Sequence, residues 1–140
     1  MTEGPIIRQA TERDIAAVVE ISRTTPWDKE RYLRRQVDQG DLFVAVDKNA
    51  AVGFVVWNHE FFSLPFIWLV VVSPAHRKKR IATALLDFVE ARCEGKRIFS
   101  STNLSNDAMR RILERRGYRR AGEVDVDPGD PEIFYQLGSS

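Results

Sequence analysis

The chain has 140 residues, enough for one domain and too few for two. With 44% apolar and 29% charged residues it is neither disordered nor collagen-like, and at this size it can bury a core without disulfides or metal. Its 21 basic and 20 acidic residues leave a net charge of +1, which argues against a dedicated nucleic-acid binder.

The elements alternate along the chain. Pro5 to Gln9 reads as a short strand. Thr11, with Asp14 three residues on, opens a helix as a capping box; Ile15, Val18, Val19 and Ser22 form its buried face. Thr25-Pro26-Trp27-Asp28 breaks it. A charged helix then runs from Asp28 to Gln39 and ends at Gly40. Leu42 to Val46 and Ala51 to Asn58 pair as a hairpin about the Asp47-Lys48-Asn49 turn. Ser63 to Val72 is an apolar run suited to a strand buried on both faces. Ile81 to Arg92 is an amphipathic helix with Ile81, Leu85, Phe88 and Val89 in one stripe. Lys96 to Ser101 is a strand, and Asn106 to Arg116 a helix with Met109, Ile112 and Leu113 inward. Strands at 119–126 and 132–137 close the chain. The order predicts a mixed α/β domain spanning 1–140, with helices on both faces of a sheet that combines antiparallel meanders and a β-α-β crossover.

Single features bound the setting. Cys93 has no internal disulfide partner, which fits a reducing compartment. His59 and His76 lie far apart and belong to no Cys/His cluster, so no metal is expected. The longest apolar run, Leu64 to Val72, contains Pro65 and falls well short of the roughly 18 residues of a membrane span. The N-terminus lacks a signal pattern. A soluble, cytoplasmic protein without a membrane partner is expected.

Residues 70–83 read VVVSPAHRKKRIAT: a buried strand ends, a cationic loop follows and a helix begins. The N–H groups at a helix start are unpaired, and the helix dipole makes that end positive. Phosphate binds well there. The cations Arg77, Lys78, Lys79 and Arg80 oppose the dipole, so helix stability does not explain them, whereas a bound polyanion does. On spacing alone a solvated basic turn is the simpler reading, and a nuclear-localisation or nucleic-acid patch is a third.

The wider pattern shifts that balance. Val72-x-Pro74-x-x-Arg77-x-x-Arg80-x-Ala82, followed by Leu85-Leu86, resembles the acyl-CoA motif of the GNAT superfamily of N-acetyltransferases. That motif is Arg or Gln, two variable residues, Gly, one variable residue, then Gly or Ala. The stretch from Asn106 to Gly117-Tyr118 looks like the family's second signature. Ile7-Arg8-x-Ala10-Thr11-x-x-Asp14 matches how such chains begin. The three motifs stand in family order over nearly the whole chain.

The resemblance implies a GNAT-like fold and acetyl-CoA as cofactor. Its pantetheine arm would lie along the backbone of Val70, Val71 and Val72. Its pyrophosphate would lie on the N–H groups from Lys78 through Lys79, Arg80, Ile81 and Ala82 to Thr83, with Arg77 beside them. Asn106 would face the pantetheine, and arginines of the last helix would reach the 3′-phosphate. Arg80 departs from the family glycine. It is expected to serve only with ordinary right-handed backbone and an outward side chain, or to add a phosphate contact.

The implied reaction is direct attack of an amine on the thioester, with a main-chain N–H near Val72 steadying the oxyanion. The positions of a frequent family acid and base carry Leu113 and Ser101. Tyr118 and Ser105 are candidate proton donors to the thiolate, though each has a simpler reading, as core aromatic and helix cap. Glu60 is the first candidate for the general base, ahead of His59 and, through water, Asp28 and Glu30. The region 24–32, with Trp27, is expected to line the acceptor side. The arginines 110, 111, 115, 116, 119 and 120 read as a solvated face. The prediction is therefore acetyl transfer to a primary amine, on a small molecule or a peptide. Alternatives are an acyl-CoA-binding domain with little catalysis, or a nucleic-acid-binding regulator. The aromatics lie in apolar strands, against the nucleic-acid reading. The resemblance allows a homodimer.

Overall fold

The computed structural model describes residues 4–26, 29–77, 80–93 and 95–138. In chain order these form β1 (Ile6–Gln9), a 3-10 turn (Glu12–Asp14), α1 (Ile15–Ser22), α2 (Glu30–Gln39), β2 (Leu42–Asp47), β3 (Ala50–Phe61) and β4 (Leu64–Val72). A second 3-10 turn (Pro74–His76), α3 (Ile81–Arg92), β5 (Ile98–Asn103), α4 (Asp107–Arg115), β6 (Arg119–Val124) and β7 (Glu132–Leu137) follow. The strands are hydrogen-bonded in the order β1-β2-β3-β4-β5-β7-β6. β4 and β5 are parallel, as the crossover predicts, and the β1–β2, β2–β3, β5–β7 and β6–β7 pairs are antiparallel. Among the described residues no helix is long and apolar enough to cross a membrane.

The chain groups into two compact units, residues 1–57 with 69–92, and residues 58–68 with 93–140. In the first unit the two faces of the β2–β3 ladder are both covered. Leu42 pairs with Val56 and Val44 with Phe54, and these four pack with Val18, Ile21 and Leu33 of α1 and α2. Phe43 points the other way and meets Phe88 of α3 at 5.0 Å between ring centroids. Gly53 shares that face. A Cβ there would lie 2.9 Å from the Val71 carbonyl oxygen and 3.0 Å from Ile81, so glycine allows the backbones and α3 to close up. The buried stripe of α3 is Ile81, Leu85, Leu86 and Val89; Phe88 is only partly buried, and Arg92 stacks on its ring at 3.5 Å.

The start of α1 is fastened as the capping-box spacing predicts. Asp14 accepts from the Thr11 N–H at 2.7 Å and takes a two-pronged bond from Arg8, at 2.8 and 3.0 Å. The Arg8 guanidinium and the Thr11 N–H hold the Asp14 carboxyl below the usual carboxylate range, against the opposing pull of burial.

The second unit has one closed face and one half-open face. Ile98, Ser100, Thr102, Ile133 and Tyr135 are buried on the first, where the Tyr135 hydroxyl donates to Glu114 of α4 at 2.8 Å. The other face follows from the register, in which Phe99 pairs with Gln136, Ser101 with Phe134 and Asn103 with Glu132. Phe61 packs on this face against Phe66, Phe99 and Phe134 at 4.7, 5.1 and 6.0 Å. Phe62 and Ser63 join β3 to β4 with both residues at positive φ, a primed two-residue turn built without glycine.

Candidate functional site

The loop between β4 and α3 is where the sequence places phosphate chemistry. Val71 is buried, with Val70 and Val72 partly so; the Ser73 N–H donates back to Val52 of β3 at 2.8 Å. Pro74 starts a single 3-10 turn. Arg77 is extended and exposed. Lys78 and Lys79, both expected to meet the pyrophosphate, lie outside the described residues, as do Trp27 and Asp28 of the expected acceptor wall.

Arg80 corrects the sequence reading. Its side chain is exposed as expected, but its φ is +62°, in the left-handed region rather than the right-handed one. An L-residue pays about 1–2 kcal/mol there and glycine does not. The chain thus keeps the backbone that a glycine would adopt, at a cost, at the residue that leads into α3. Strain of this kind persists where the surroundings impose it, and it clusters at functional sites.

The first helical bond of α3 runs from the Ala84 N–H to the Arg80 carbonyl, at 3.0 Å. The N–H groups of Ile81, Ala82 and Thr83 therefore have no carbonyl four residues back inside the helix. No acidic residue occupies this first turn. Ala82 and Thr83 are partly exposed, while Ile81 anchors the turn in the core. Among the described residues no carbonyl bonds these N–H groups, the described cations are exposed and the first turn has no carboxylate, which together suit the terminus to an external polyanion.

The start of α4 differs. Asn106 caps the helix, its Oδ1 accepting from the Met109 N–H at 3.2 Å, and its Nδ2 is the donor that it can offer a ligand. Ser105, expected as the cap, instead donates to Asp130 at 2.6 Å, because the β6–β7 turn brings a stronger acceptor to it. Arg110 is held by Asp107 and by the Leu104 carbonyl. Arg111, Arg115, Arg119 and Arg120 are exposed, as a solvated face requires. Tyr118 is a core aromatic at 3% exposure, and Leu113 is fully buried.

Glu60 lies near the end of β3 with its side chain exposed, and its backbone N–H donates to Asn58 Oδ1 at 3.1 Å. The same Asn58 oxygen accepts from Trp68 Nε1 at 2.8 Å. His59 is also exposed, and His76 is partly buried beside the loop. Sequence reasoning missed one carboxylate. Glu132, the first residue of β7, accepts from the Ser101 hydroxyl at 2.7 Å on the half-open face of the second unit. The two residues are 31 positions apart, and only the β5–β7 register brings them together.

Residues 9–118 match the acetyltransferase (GNAT) family. A GNAT-family acetyltransferase from Bacillus cereus is 30% identical over 96% of this chain and 97% of its own, with a TM-score of 0.87. The ribosomal-protein-S18-alanine N-acetyltransferase of Escherichia coli is 20% identical over 94% and 92%, with a TM-score of 0.78. An Arabidopsis thaliana protein in complex with the bisubstrate analogue CoA-Ac-MVNAL is 12% identical over 98% and 100%, also at 0.78. The last two likenesses concern the fold. No curated protein matches the sequence. The match over most of the chain establishes that this protein belongs to the GNAT family of acetyltransferases.

Proposed function

We propose that residues 1–140 act as one catalytic domain that moves an acetyl group from acetyl-CoA to a primary amine on a small molecule or a peptide. The observation that carries the cofactor assignment is the start of α3, where the first N–H groups find no carbonyl among the described residues and the exposed arginines meet no acidic side chain in the first turn. That donor set fits a pyrophosphate. When bound, acetyl-CoA supplies an activated acetyl group as a thioester and carries the thiol away. The N–H groups of Ile81, Ala82 and Thr83 hold the phosphates, with Arg80, Arg77 and the cations between them adding charge. The backbone of Val70, Val71 and Val72 orients the amide arm, and the main-chain N–H near Val72 steadies negative charge on the acetyl oxygen. Asn106 adds a donor through Nδ2. Glu60, exposed near the end of β3, is the sequence's first candidate for the general base.

The E. coli protein is a ribosomal-protein-S18-alanine N-acetyltransferase, and the Arabidopsis protein is in complex with the bisubstrate analogue CoA-Ac-MVNAL. Both support an amine acceptor. The test is acetyl transfer from acetyl-CoA to spermidine, lysine and a peptide with a free N-terminus, read as thiol release and as the mass of the acetylated amine. Thiol release that depends on the amine supports the reading. Release that ignores the amine, or none with any of the three, contradicts it.

A further inference from the structure

The half-open face of the second unit joins aromatic rings to polar residues: Asn103 and Gln136 lie on it with the Ser101–Glu132 pair, and Arg97 stands over the Phe99 ring at 5.3 Å. Phe61, Phe66, Phe99 and Phe134 pack together there, and Trp68, 42% exposed, packs on Phe66 at 4.3 Å. On the same face, two residues before Phe134, Glu132 is partly buried and bonded to the Ser101 hydroxyl. Among the described residues Glu132 enters no ion pair, although Arg8, Arg23, Arg34 and Arg110 each hold a carboxylate. A partly desolvated carboxylate with one neutral donor and no cation is poorly compensated. A protonated amine supplies the missing charge, and aromatic rings beside a carboxylate suit a cation.

The pair also sits at a definite place in the sheet. β4 and β5 pair Phe66 with Phe99 and Ile67 with Ser100, and the Ser100 hydroxyl donates to the Ile67 carbonyl at 3.0 Å. Ser101 is the next residue of β5. Its hydroxyl holds Glu132 where parallel pairing ends, on the side that carries the aromatics.

We propose that Glu132 takes the proton from the incoming amine, with Ser101 as its positioning residue. This rests on the acetyl-transfer reading and gives Glu132 the role that the sequence suggested for Glu60. A protonated amine first gives one proton to the Glu132 carboxylate. Its nitrogen then bonds to the acetyl carbon, the carbon–sulfur bond breaks, and the second amine proton ends on the departing thiolate. Glu132 returns its own proton to solvent. The products are an acetamide, a thiol and one proton.

Glu132→Gln keeps an oxygen for the Ser101 hydroxyl and removes the base. The test compares phenethylamine, protonated at neutral pH, with hydroxylamine, which is mostly unprotonated. Removing a base lowers kcat/KM for phenethylamine by about 10²-fold or more and for hydroxylamine by less than about threefold. Ser101→Ala shows the same selective loss, about tenfold, and Ser101→Thr restores it. Calorimetry with acetyl-CoA accompanies each variant and shows unchanged affinity. Equal losses with the two amines, no loss, or a larger selective loss in Glu60→Gln overturns the assignment of Glu132. A wild-type protein that binds acetyl-CoA yet transfers to neither amine overturns both this assignment and transfer to simple amines.

Discussion

Two helix starts in this protein have opposite chemistry. α4 begins closed: Asn106 caps it, Asp107 stands in its first turn, and Arg110 is held by Asp107 and a loop carbonyl. α3 begins open, with no acid in its first turn, exposed Arg77 and Arg80, and a left-handed entry at Arg80. The first arrangement satisfies a helix from within the chain. Among the described residues, the second leaves donors and charge without an internal partner. A basic loop is therefore informative here because its neighbouring helix forgoes the usual acidic residues, not because it is basic.

The contrast breaks most visibly if α3's start is filled. Ala82→Glu puts bulk and negative charge among the N–H groups and lowers acetyl-CoA affinity about 100-fold or more in calorimetry, roughly 3 kcal/mol. Unchanged affinity would place the phosphates elsewhere. Asp14→Asn tests a start that is closed by a cap. It costs about 1–2 kcal/mol in urea melts at neutral pH, a value held down by the exposure of Arg8. Because folding lowers the Asp14 pKa, the wild-type advantage is complete above the usual carboxylate value of about 3.9. It fades as pH falls through the lower folded value, so the two proteins converge in strong acid. A gap that persists there would mean that the ion pair is not its source.

Arg80 gives a test of similar size. Arg80→Gly and Arg80→Ala lose the same charge, but only glycine relieves the left-handed strain. The glycine variant is therefore more stable than the alanine variant by about 1–2 kcal/mol. Equal melting temperatures would contradict the left-handed entry. Asn106→Ala removes a cap and costs about 1 kcal/mol in thermal unfolding.

Periodicity and turn chemistry made most elements legible. α3 runs from Ile81 to Arg92 and β7 from Glu132 to Leu137, as the sequence predicts. The Lys48-Asn49 turn, the Gly40 cap and the Asp14 capping box were also readable, since each depends on neighbours in sequence. Boundaries moved where local signals were weak. β5 starts at Ile98 rather than Lys96, and β3 continues to Phe61 because Phe62 and Ser63 turn without a glycine or asparagine to announce it. The cationic loop was readable as an anion site, but the backbone at Arg80 was not, because arginine seldom takes positive φ. The Ser101–Glu132 pair could not be read at all. It depends on a register between strands 31 residues apart, and local pattern does not encode that pairing.

The central claim is that the start of α3 holds the phosphates of acetyl-CoA. Calorimetric titration of the full chain with acetyl-CoA at moderate salt tests it most directly. The account predicts one-to-one binding near micromolar, about −8 kcal/mol, which Ala82→Glu weakens about 100-fold or more. No binding by the wild-type chain, or equal binding by the variant, would contradict it.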